Sequence, residues 1–130
     1  MSILDVNPAD IPDLRLLDAG EHLLKVVVCE KHTKKDDPSS ESLHVQFDAV
    51  NDPDAFPIHV YHGYPKQDDD QKVRNSKLRA IKDFCLAFGV DPDLDFEAAV
   101  GSTGWALVGI EDSNPEYEPK NRVRRYVRKA

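Results

Sequence analysis

From Glu21 to about His32 the chain reads His-Leu-Leu-Lys-Val-Val-Val-Cys-Glu, apolar and β-branched. This predicts a first strand with Leu24, Val26 and Val28 on its inner face. A polar stretch from Lys31 to Ser42, rich in charge and in Pro and Ser, breaks that strand. Leu43, Val45, Phe47 and Ala49 then alternate with His44, Gln46 and Asp48, the two-residue period of a half-buried second strand. Asn51-Asp52-Pro53-Asp54 is a turn. From Pro57 to Tyr64 a third strand sets Ile58 and Val60 on one face and His59 and Tyr61 on the other, and Pro65 with Asp68-Asp69-Asp70 stops it. The period then changes: Leu78, Ile81, Phe84, Cys85 and Phe88 recur at helical spacing, with Asn75 or Ser76 placed to cap the start and Gly89 the end. Asp95 to Val100 adds a helical turn. A fourth strand over Gly104 to Asp112 directs Ala106, Val108 and Ile110 one way and Trp105 and Leu107 the other. After a loop from Ser113 to Pro119, a fifth strand over Asn121 to Arg128 sets Val123 and Val127 against Arg122, Arg124, Tyr126 and Arg128. Residues 1–20, with Pro8, Pro12 and Gly20 around Leu14, Leu16 and Leu17, read as an irregular arm ahead of one domain over 21–130.

Three strands, a helix, then two strands is the order of the OB-fold. The expected fold is therefore mainly β: a five-stranded, OB-fold-like Greek-key barrel with one helix between strands three and four. Another small barrel or an open α+β sheet shares that order. With 40% hydrophobic and 32% charged residues in 130, the chain has apolar material for one core, and wholesale disorder is excluded. The longest apolar run, Leu23 to Cys29, is interrupted by Lys25 and is far short of the roughly 18 to 20 residues that cross a bilayer, so no membrane association is expected. Met1 to Asp10 lacks the basic and apolar regions of a signal peptide, which points to the cytoplasm. Cys29 and Cys85 sit at apolar positions and read as small buried hydrophobes, without metal-binding spacing.

The net charge of −7 changes the picture only through its distribution. Residues 120–130 hold six of the 17 basic side chains and no acid, which leaves 11 basic against 24 acidic side chains, −13, elsewhere. Single-strand binding needs cations along the phosphates and aromatic faces for the bases. The fifth strand offers Arg122, Arg124, Tyr126 and Arg128. The loop after the first strand offers Lys31, Lys34 and Lys35, and the loop before the fifth offers Tyr117 and Lys120. Tyr61, Trp105 and Lys25 are outward by alternation. The competing readings are a charged edge strand that blocks edge pairing, and Trp105 as a core or interface residue. Phe47, Phe84 and Phe88 belong to the core.

No enzymatic motif competes. His59 and His62 fall on opposite faces of one strand and cannot share a metal, and the five histidines read as surface or phosphate-contacting groups. Asp68-Asp69-Asp70 lacks the spaced oxygens and glycine of a calcium loop and reads as a solvated run. There is no glycine-rich phosphate loop, no Gly-x-Ser-x-Gly and no HExxH. Neither metal nor cofactor is expected, and the chain is not read as an enzyme.

Three stretches carry a family likeness spanning roughly residues 17–127. Ala19-Gly20-Glu21 leads into the Val-rich strand. The helix closes in Ala87-Phe88-Gly89-Val90. The Gly104 to Gly109 strand is followed by Tyr117 and Asn121-Arg122-Val123. Together these resemble small phage-encoded single-stranded-DNA-binding proteins with an OB-fold. The resemblance implies single-stranded DNA as ligand, bound with little sequence preference on the barrel face, and the helix as a structural plug. It also implies self-association and partners in replication or recombination. Many such proteins end in an acidic tail that recruits partners, whereas this chain ends basic at Arg128 and Lys129. The alternative is an interaction module of the same fold whose acidic surface binds a basic protein or mimics DNA.

Overall fold

A computed structural model describes residues 7–37, 40–91, 96–112, 116 and 118–128. It contains β1 (Gly20–Thr33), β2 (Glu41–Ala49), β3 (Ile58–Gly63), α1 (Gln71–Phe88), β4 (Thr103–Glu111) and β5 (Lys120–Val127), with 3₁₀ turns at Pro8–Asp10 and Phe96–Ala99. The strands form one antiparallel sheet in the order β3-β2-β1-β4-β5. The expected five strands and single helix are present in the expected order. The expected barrel closure is not, because β3 and β5 are the two edges of the sheet. These edges nevertheless lie against each other, and α1 packs on β3, β4 and β5.

The alternating positions explain the inner face. Leu24, Val26, Leu43, Val45, Phe47 and Ala106 are fully buried, and Ile58 and Val108 almost so, around Phe84, Cys85 and Phe88 of α1. Both cysteines are free thiols and buried. Helix and sheet approach closely at Gly104, where a Cβ would fall 2.7 Å from the Ala87 carbonyl oxygen and 2.8 Å from the Phe88 ring.

Two bulges correct the simple alternation. The β1–β2 register shifts between Val26 and Val28, so Cys29 instead of Val28 takes the inner position opposite Val45. On β5, Val123 pairs with Val108 and Arg125 with Leu107, which leaves Arg124 as the extra residue. An extra residue reverses the facing of everything beyond it. Tyr126, expected outward, therefore points into the core. It lies among Phe47, Phe84 and Phe88, at ring-centroid separations of 5.7 to 6.3 Å.

The helix begins earlier than expected. Asp70, not Asn75 or Ser76, is its N-cap, and its Oδ1 accepts the Val73 N–H at 2.8 Å. Leu78 is exposed, since the buried stripe of α1 begins only at Phe84. Gly89 caps the end as expected, at φ 67°. Ile110, expected inward, is exposed near the end of β4.

The arm is tied down by a residue that alternation left unremarked. Buried Asn121 accepts the Leu17 N–H at 2.8 Å and donates to the carbonyls of Leu17 at 3.0 Å and Gly109 at 3.3 Å. Leu17 is buried as a result. No helix among the described residues is long and apolar enough to cross a membrane.

Candidate nucleic-acid interface

Outward positions of β1, β2 and β3 carry Glu30 and His32, His44 and Gln46, and His59 and Tyr61. Register sets His44 opposite Tyr61 and Gln46 opposite His59. Four rings consequently meet. His59 and His44 lie edge to edge in nearly one plane, with centroids 5.3 Å apart and planes 7° from parallel, and His44 stacks on Tyr61 at 4.6 Å and 12°. His32 meets Tyr61 edge to face at 5.4 Å. His44 Nε2 and His59 Nδ1 share a hydrogen bond of 3.0 Å. Burial, then the His59 charge, lowers the His44 pKa; Glu30, 3.9 Å from Nδ1, opposes both. These effects bias His44 toward its neutral form, and its ring covers part of one face of Tyr61, a residue that remains 56% exposed.

A basic residue stands at each end of this ladder. At the hairpin between β1 and β2, Lys34 lines a cleft of about 340 Å³ with His32, Tyr61, Gly63 and Ser42. At the other end, Lys120 lines a cleft of about 360 Å³ with His59, Phe56 and Pro57. No protein-family model matches the chain, and no curated protein does. The functional reading therefore rests on this geometry.

The sequence-predicted residues separate into groups. Lys34, Tyr61 and Lys120 are brought to the ladder. Lys35 is exposed in the adjoining hairpin loop. Lys31 lies on the opposite face by register and pairs with Glu41 at 3.1 Å. Lys25, opposite Asp48, lines a separate groove with Asp48 and Asp52. Trp105 is half-buried on the outer face of β4, between Leu23 and Val127 in register. Arg122, on the outer face of β5, approaches Glu111 at 4.0 Å. Arg124 lies across Gly109 of β4. Arg128 pairs with Asp83 of α1. Tyr117 lies outside the described residues. Tyr126 is not on this face at all: its hydroxyl is hydrogen-bonded to buried His62, and burial raises its pKa.

Sequence reading missed the ladder itself. His44, His59 and Tyr61 were legible as outward residues, but only the pairing of β2 with β3 shows that they touch. The exception among the histidines is His62, a core group whose pKa burial lowers to about 4.

The acidic run is structural. Asp69 Oδ2 accepts the Lys66 N–H and the Lys77 ammonium, each at 2.7 Å, and these contacts hold its carboxyl below the usual range. Asp70 caps α1. Among the described residues no group of three or more His, Cys, Asp or Glu is arranged to hold a metal ion.

Proposed function

We propose that this protein is an OB-fold-like binder of single-stranded DNA. Its strand-binding surface is the outer face of β1, β2 and β3. The observation that carries the reading is the ring ladder His59-His44-Tyr61-His32 with Lys120 at one end and Lys34 at the other. In OB-folds the β2–β3 face and the loops joining β1 to β2 and β4 to β5 take oligonucleotides, and Lys34 and Lys120 belong to those two loops or their borders. Stacking on aromatic faces tolerates any base, which accounts for binding with little sequence preference. The role that follows is to hold single strands during replication or recombination, phage replication included, as the sequence resemblance implies.

A second reading has its own support. Lys31, Arg122 and Arg128 each face a carboxylate, so much of the basic charge is already partnered on a chain of net charge −7. This suits an acidic surface that binds a basic protein. The pairs are exposed and individually weak, so a phosphate can displace the carboxylate.

Anisotropy of a labelled oligo-dT about 30 nucleotides long, with duplex as control, separates the two readings, because one OB-fold covers about 4 to 16 nucleotides. The first predicts saturable single-strand binding that salt weakens and duplex does not match. Absence of binding at low salt overturns it in favour of the second.

A further inference from the structure

The position after Tyr61 on the outer face of β3 is Gly63, and neither backbone nor packing demands a glycine there. Its φ is not positive, and a Cβ would meet nothing nearer than the Lys77 Cε at 3.9 Å, an ordinary contact. That Cβ would lie toward Lys77 of α1, which is not part of the neighbouring cleft, so the cleft is shaped by the side chains around it. The cleft of about 340 Å³ is walled by the His32 and Tyr61 rings, with Gly63 and Ser42 also lining it and Lys34 among its charged groups. His44 covers part of Tyr61, yet the residue remains more than half exposed. Ring walls and a cation are the components of a site for a planar ring bearing a phosphate; the Glu41 carboxylate at the cleft is paired with Lys31.

We infer that this cleft is a single-nucleotide subsite, which takes one base against the His32 and Tyr61 rings and the adjoining phosphate against Lys34. The inference rests on the proposed single-strand reading and assigns it a fixed anchor point. Ser40, Ser42 and Glu41 supply both donors and acceptors at the cleft without a fixed pattern, so the subsite selects for a base over no base more than for one base over another.

The test is Tyr61→Ala, which removes one ring wall of the cleft at an exposed position, together with Lys34→Ala in the exposed hairpin loop. Circular dichroism and thermal unfolding establish that both fold. The probes are an oligo-dT about 10 nucleotides long and an abasic deoxyribose-phosphate oligomer of the same length, within the span of one OB-fold. Wild type should prefer oligo-dT. Tyr61→Ala should lose about tenfold on oligo-dT and nothing on the abasic strand, the scale of one stacked base. Lys34→Ala should weaken both probes alike. If Tyr61→Ala binds oligo-dT as wild type does, the subsite is overturned while single-strand binding stands. If wild type binds neither probe, the subsite falls together with the reading beneath it.

Discussion

His62 on β3 and Tyr126 on β5 share a hydrogen bond of 2.6 Å, which joins the two edge strands of the sheet through side chains where no backbone ladder does. Both groups are packed beside Phe84. Tyr126→Phe keeps the ring and leaves His62 Nε2 without its partner, which should cost about 1 to 3 kcal/mol in urea unfolding.

The burial of His62 also makes stability depend on pH. Burial holds the His62 pKa at about 4 in the fold, below its ordinary 6.5. The stabilisation is complete above about pH 6.5 and is lost as pH falls toward 4, because the unfolded chain binds the proton first. The difference amounts to roughly 3 kcal/mol. Urea unfolding of wild type and His62→Leu at pH 7.5 and 4.5 isolates it: wild type should lose that much more on acidification. Equal losses would contradict the burial account.

Gly104 admits the end of α1 to the sheet. Gly104→Ala should destabilise by about 1 to 3 kcal/mol, since the new Cβ collides with the Ala87 carbonyl and the Phe88 ring. The same substitution at Gly63 should be near neutral, and thermal unfolding of the two variants side by side checks the contrast.

Asp70→Ala removes the cap from α1 and should cost about 1 kcal/mol in urea unfolding. Asn75→Ala and Ser76→Ala, at the positions where the sequence places the cap, should change little.

The element order was legible because Leu43, Val45 and Phe47 alternate cleanly and Phe84, Cys85 and Phe88 recur at helical spacing. Facing was lost wherever a bulge intervened. The bulge in β1 exchanged Val28 for Cys29, and Arg124 as an extra residue turned Tyr126 inward; neither leaves a mark in a one-residue alternation. The cap was misplaced because Asp70 stands in a run whose charge suggested solvent. The ladder was hidden for a different reason: His32, His44, His59 and Tyr61 come from three strands, and only cross-strand register makes them neighbours.

The charge at the ladder's ends has a distinct signature. Lys120→Ala should weaken oligo-dT binding and lower the slope of log affinity against log salt by about 0.7, the loss of one phosphate contact on a single strand. Lys25→Ala, beside Asp48 and Asp52, should leave that slope unchanged.

The most direct test of the outer-face account is a ¹H–¹⁵N chemical-shift titration of the whole protein with an oligo-dT about 10 nucleotides long, within the span of one OB-fold. The account predicts that the largest saturable shifts cluster at His32, His44, His59 and Tyr61, extend to Lys34 and Lys120, and spare the exposed side of α1. Shifts confined to α1 and the acidic turns, or none at all, would contradict it.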